Sequence, residues 1–274
     1  MPVILFLAAP AALALLLVAI HAYLGLHVLA RDVVFVDIGL SQVAALGAAL
    51  SMFFVPEGEG KLALLFSLGL CLFTALFLAL LRRFEKTLSQ EVLIGMSYAL
   101  ASGLLILVAD KLPHGTEHLK HALIGNILFV TWDQVLETLI VYATVGALHW
   151  IFRRQFWASS RGESSSFVWD FFFYVLFGVV ITFSTHHAGV LVVFTILVAP
   201  AALATRFFQT LTVRLLVAWS VGLVGVLGAF GLSYLYDLPA GAGIVTVLTV
   251  GFFAAVMASL VFRHSVVVSK PNSK

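Results

Sequence analysis

Apolar runs long enough to cross a lipid bilayer recur along the whole chain, and they decide what it can fold into. They cover roughly residues 3–29, 33–55, 62–81, 92–109, 122–152, 169–185, 187–205, 213–236 and 244–262. About 20 apolar residues carry a helix across the ~30 Å hydrocarbon core. No water is available there to satisfy backbone groups, so a spanning segment must be a helix or part of a closed barrel. These runs are continuous rather than alternating, which selects helices. The expected fold is all-α: a polytopic transmembrane helical bundle of eight or nine spans, forming a single domain over residues 1–274.

Composition agrees. The chain is 62% hydrophobic and only 10% charged, against about 25% charged in soluble domains. That much apolar surface cannot all enter one protein core, so part of it faces lipid. The net charge is +2 and no basic stripe is present, which excludes nucleic acid as a partner. The single cysteine, Cys71, lies in an apolar run and reads as a small core residue. The first run starts without Lys or Arg and continues to about Leu29. A cleaved signal would have a basic start and a shorter apolar stretch, so the segment is expected to be a retained helix.

The fifth run is too long for one straight crossing, and it contains Gly125, Asn126, Thr131, Trp132 and Asp133. A broken or re-entrant segment is expected near 122–132, followed by a full helix from about residue 133. Positive charges fix the orientation. Arg31, Arg82, Arg83, Lys86, Arg153, Arg154, Arg161, Arg206, Arg214 and Arg263 fall in alternate loops. The positive-inside rule makes that side cytoplasmic. The histidine-bearing segment 110–121 and the turn at His186-His187 then face outward. The largest hydrophilic loop, Arg153 to Ser166, faces inward and is too short to hold a folded domain.

Few residues here could carry chemistry, and most are concentrated. His114, Glu117, His118 and His121 fall at i, i+3, i+4 and i+7, one face if the segment is helical. Imidazole and carboxylate are ligands for borderline divalent metals. A solvated loop with incidental histidines fits the same spacing. Asp37 lies within the second run; a carboxylate at membrane depth is costly and marks a functional position by default. Ser41 shares its face, whereas Gln42 is about 140° away on an ideal helix. Pairing of Asp37 with Arg31 is the structural alternative. Of the adjacent His186 and His187, one can enter the bundle while the other meets water. Glu91, at a helix start, reads as a capping or docking carboxylate. The chain holds no Gly-x4-Gly-Lys-Ser/Thr, no His-Glu-x-x-His and no Gly-x-Ser-x-Gly, so it carries no nucleotide-binding loop and no recognisable hydrolase site.

Several blocks resemble one family. Asp37-Ile-Gly-Leu-Ser-Gln-Val-Ala-Ala-Leu-Gly47 is similar to that family's Gly-Asp-x-Leu-Ser-His-Ala pattern followed by a glycine, with Gln42 in place of the histidine. Gln90-Glu-Val-Leu-Ile-Gly95, Gly125-Asn-Ile-Leu128, Ala188 to Ala201, and Ser233 to Gly241 resemble further blocks, in family order. The chain thus resembles the membrane permease subunit of the zinc/manganese class of bacterial ABC importers. The resemblance implies a multi-pass protein of the bacterial inner membrane that is not itself an enzyme and binds no cofactor. It implies a cytoplasmic ATP-binding subunit, an extracytoplasmic metal-binding protein and a second copy of the chain as partners. Zinc, with manganese as the other candidate, is the expected cargo. Asp37, Gln42, His114, Glu117, His118, His121, His186 and His187 are the expected metal-path residues. Arg153, Arg154 and Arg161 are the expected contacts to the ATPase. Two other readings are a gradient-driven secondary cation transporter and an intramembrane metalloenzyme. The first would need more intramembrane carboxylates and paired repeats, and the second ligands converging at one depth.

Overall fold

A computed structural model describes residues 3–54, 61–81, 89–113, 115–163 and 166–268. These form eleven α-helices in the order α1 (Val3–Ala30), α2 (Val36–Ser51), α3 (Lys61–Leu81), α4 (Gln90–Ala109), α5 (Gly115–Ile124), α6 (Trp132–Ile151), α7 (Arg153–Ser160), α8 (Phe167–Ala188), α9 (Val190–Phe207), α10 (Leu211–Tyr236) and α11 (Ala240–Val268). Eight of them are long and apolar enough to cross a membrane, and α2 is a shorter apolar helix. The architecture is the expected polytopic bundle.

Burial sorts the helices into centre and shell. α1, α8 and α9 bury more than half of their spanning windows, whereas α4, α10 and α11 bury less than a third. The outer faces of the shell helices carry Leu, Ile, Val and Phe, such as Leu107, Val224, Val250 and Phe253. In lipid such residues need no further partner. The centre is held by close backbone approach at small residues. A Cβ at Gly25 of α1 would collide with the Leu197 carbonyl of α9.

The second run departs from expectation. It is helical only over Val36–Ser51, with a non-helical link from Arg31 to Phe35. Sixteen residues rise about 24 Å, short of a full crossing. Irregular backbone at depth persists only where protein covers it. α2 meets that condition: it packs on α3, α4, α8 and α9, and all its residues except Ile38, Ala48 and Leu50 are buried. Ser67 donates to the Ala44 carbonyl at 2.7 Å, and the Cys71 thiol to the Leu40 carbonyl at 3.3 Å. The Phe35 amide donates to Glu91 at 3.3 Å, so Glu91 docks the link onto the start of α4.

The fifth run is broken as expected. α5 is followed by a 3-10 turn over Ile127–Phe129 and then by α6. Thr131 caps α6 reciprocally with Gln134, which satisfies two otherwise orphaned amides and sets the helix start. Gly125 and Gly189 both have positive φ, at 67° and 80°. A Cβ on either would strike the backbone of the other's segment, so only glycine permits the contact. The Asn126 amide then donates to the His187 carbonyl at 3.1 Å. The break is thereby pinned to the turn between α8 and α9.

The stretch Arg153 to Ser166, expected as a loop, begins with a helix. α7 folds back on α1, α6 and α8 because Phe156 finds a fully buried seat there. Loop composition misled here: the serines at 159 and 160 are buried hydrogen-bonding groups, not solvated ones.

Candidate metal pathway

Asp37 sits in the first turn of α2 with no exposed surface. Neither of its carboxylate oxygens has a hydrogen-bond partner. Arg31 does not pair with it. The Arg31 guanidinium reaches Asp170 of α8 at 2.9 Å, Ser160 at 3.0 Å and Ser159 at 3.1 Å, and lies 4.0 Å over the Phe173 ring. Ser159 also donates to Asp170. The structural alternative for Asp37 therefore fails, because its expected cation is engaged elsewhere.

Around Asp37 the bundle presents hydroxyl and imidazole groups from four helices. One turn along α2, Ser41 is hydrogen-bonded to Thr185 of α8 at 3.0 Å. The Tyr142 hydroxyl of α6 is 2.5 Å from that of Ser184, the residue before Thr185. Ser184 in turn lies 3.1 Å from His21 Nε2. His21 donates from Nδ1 to the Leu17 carbonyl at 2.8 Å, so a neutral ring accepts at Nε2. Gln42 is buried one position beyond Ser41.

Above this polar centre lies a cleft of about 540 Å³ on the side opposite the arginine-rich loops. Thr185 is on its wall, with Glu117, Asn126, His186 and His187. It thus comes within one hydroxyl of the Ser41 and Asp37 face. His186 is exposed and His187 buried, with ring centroids 5.2 Å apart. Glu117 lies on α5, so the segment is helical from Gly115, the condition under which its spacing forms one face. His114 lies outside the described residues, and so do the side chains of His118 and His121. Among the described residues no three His, Cys, Asp or Glu side chains converge to hold an ion. The donors that are described are spread between the cleft and the Asp37 level rather than gathered at one point.

On the arginine-rich side, Arg153, Arg154 and Arg161 are exposed on and just after α7. They line a second cleft of about 470 Å³ together with Arg214 of α10. Arg161 also pairs with Glu163 at 3.0 Å. The expected coupling arginines thus share one surface, and Arg214 joins them.

Sequence reasoning missed His21, Tyr142, Ser184 and Thr185. A signal existed for two of them. A histidine within an apolar span, as His21 is, marks a position to explain. Tyr142 belongs to the α6 series Val135, Thr138, Tyr142, Val145, His149, all buried and spaced three or four apart.

Comparison with known proteins bears on the family and the fold. The chain is 27% identical over 179 residues to the manganese transport system membrane protein MntC of Listeria innocua, a match covering 62% of this chain and 63% of that one. The Listeria monocytogenes protein of the same name is 26% identical over the same length, with the same coverage. The match thus spans a little under two thirds of the length of these two relatives. Among solved structures, PsaBC from Streptococcus pneumoniae, determined with a Fab, superposes with a TM-score of 0.73 at 21% identity. That match covers 91% of this chain and 90% of the other. Residues 4–259 match the ABC 3 transport family, and the chain belongs to that family, as a multi-pass membrane protein built for transport.

Proposed function

We propose that the chain is the permease subunit of an ATP-driven importer of divalent transition metal in the bacterial cytoplasmic membrane. Asp37 carries the reading. An ionised carboxylate held at depth without a partner is unfavourable in itself. A divalent cation arriving beside it offsets that cost and loses less of its own solvation. The surrounding Ser41, Thr185 and Tyr142 hydroxyls are oxygen donors that replace part of the ion's water shell.

In this reading an external binding protein delivers the ion to the cleft. Glu117, His186 and His187 meet it there with carboxylate and imidazole, and His114, His118 and His121 join from the same segment. Gln42 adds an amide oxygen next to the polar centre. Imidazole at the rim suits zinc, and carboxylate with hydroxyl at the centre suits manganese. Zinc and manganese are both cargo in this reading, in keeping with relatives named for manganese. A cytoplasmic ATPase docks on the Arg153, Arg154 and Arg161 surface, and its cycle drives alternating access in a dimer of this chain. The chain itself hydrolyses nothing.

The test is uptake of zinc and of manganese by proteoliposomes. The permease with its ATPase should take up metal only when ATP is supplied. The Asp37→Asn complex should bind ATPase normally and transport little. ATP-driven uptake by the chain alone would refute the reading, as would wild-type rates in Asp37→Asn.

A further inference from the structure

Two more histidines lie in the spanning helices, and the path described so far uses neither. His27 of α1 and His149 of α6 have 0% and 1% of their surface exposed. Each has one ring nitrogen engaged and the other free. His27 Nδ1 is 2.8 Å from the Ser160 hydroxyl, and His149 Nδ1 is 3.3 Å from the Tyr23 hydroxyl. Nε2 of both rings is buried without a partner.

We propose that His27 and His149 form a second, inner cation site that receives the transported divalent ion from the Asp37 level through their two Nε2 atoms. The proposal rests on the importer reading for its role, though not for its test. Metal-binding histidines commonly have the second ring nitrogen fixed by a hydrogen bond, which sets tautomer and ring orientation. Both rings show that pattern. Their centroids are 5.8 Å apart at an interplanar angle of 76°. Two imidazoles sharing an ion at ~2.0–2.1 Å from each nitrogen hold their centroids roughly 5–6 Å apart. A histidine kept only for packing would have no reason to leave Nε2 unpaired, since a buried polar atom without a partner is destabilising. Two such atoms on neighbouring rings call for a shared occupant.

Position supports a relay. His149 is two helical turns from Tyr142 along the buried face of α6, about 10 Å toward the arginine-rich side. Tyr142 is hydrogen-bonded to Ser184, the neighbour of the Thr185 that holds Ser41 one turn from Asp37. Tyr23 sits edge-on to both rings, with centroids at 4.8 and 5.5 Å. Arg31 shares the Ser160 hydroxyl with His27, at 3.0 and 2.8 Å, but its charge is matched by Asp170 at 2.9 Å. That leaves a weak site, as a relay requires. α7 also clamps the pair: Trp157 stacks on His27 at 4.2 Å and Phe156 on His149 at 4.1 Å. The helix that carries Arg153 and Arg154 therefore sets the distance between the two rings, and its movement would release the ion.

Equilibrium dialysis of the permease–ATPase complex against Zn²⁺, without ATP, tests this. His149→Gln should bind one zinc fewer per permease chain than wild type, and His27→Gln should lose the same one. Tyr23→Phe keeps the ring and the fold but removes the orienting hydroxyl. It should retain the count and weaken that site about tenfold. Asp37→Asn should retain the inner zinc, so failure of the importer reading would leave this result standing. Zinc counts and affinities in the histidine variants equal to wild type would overturn the proposal. So would an unchanged affinity in Tyr23→Phe, which stands as the test should the histidine variants not fold.

Discussion

Asp37 and Asp170 are the same residue type, each in the first turn of a helix and each buried, yet their surroundings are opposite. Asp170 is met by a guanidinium and by Ser159. Asp37 has no cation partner and no well-formed hydrogen bond at either oxygen, only the Ser41 hydroxyl beside it one turn along α2. A buried charge with full compensation belongs to the scaffold, because removing any partner strands the rest. A buried charge without compensation is retained for something that arrives. The contrast separates residues whose loss should unfold the bundle from residues whose loss should silence it.

The largest effect is expected where compensation is complete. Arg31→Gln strands Asp170 and leaves Ser159 and Ser160 with altered partners. It should cost about 3–5 kcal/mol, read as loss of folded protein in detergent. The paired change Arg31→Met with Asp170→Leu removes both charges together and should restore much of the folded yield. If the double variant stayed unfolded, the pair would hold more than a charge balance, and the contrast with Asp37 would weaken.

Asp37→Asn comes next. Asparagine keeps size and removes a charge that no protein group balances. Folded yield should equal or exceed wild type, while uptake per folded molecule falls at least about tenfold. A fall in yield with unchanged transport per molecule would place Asp37 in the scaffold and end the contrast.

How far the sequence reveals this difference depends on the range of the interaction. Asp37 was visible because one carboxylate in an apolar run is anomalous by itself. The break after Ile124 is visible because Gly125, Asn126, Thr131, Trp132 and Asp133 interrupt an apolar run too long for one crossing. Arg31 with Asp170 was not, because the partners are 139 positions apart and Asp170 alone reads as an ordinary helix-start acid. The short α2 was hidden for a similar reason. Hydropathy reports that a segment avoids water, not whether protein or lipid surrounds it, and α2 is enclosed by protein. α7 was misread because Ser159 and Ser160 look solvated until Arg31 and His27 are brought to them. His186 and His187 gave the right division, one outward and one inward, because adjacent helical positions cannot share a face.

The arginine surface offers a third test of intermediate size. Arg153→Glu with Arg154→Glu reverses exposed charges that touch neither buried acid. Thermal stability of the permease should change by less than about 0.5 kcal/mol. ATPase co-purification and ATP-driven uptake should fall together. Normal assembly with normal uptake would remove these arginines from the coupling element and turn attention to Arg214 on the same cleft.

The smallest effect is expected at the rim, where several donors share one open cleft. Glu117, His186 and His187 each contribute to capturing the ion from dilute solution, and water can replace any one of them. His187→Gln should therefore raise the external zinc concentration for half-maximal uptake by roughly threefold, under 1 kcal/mol, and leave the maximal rate unchanged. Removing Glu117 as well should deepen the shift without touching the plateau. This is the reverse of Asp37→Asn, which should lower the plateau at every metal concentration because the ion meets that carboxylate after capture. Uptake measured across zinc concentration for the two variants side by side distinguishes capture from passage. A lowered plateau in His187→Gln would mean that the buried imidazole belongs to the polar centre with Thr185 and Ser41, and the border between rim and path would move outward along α8 to include it.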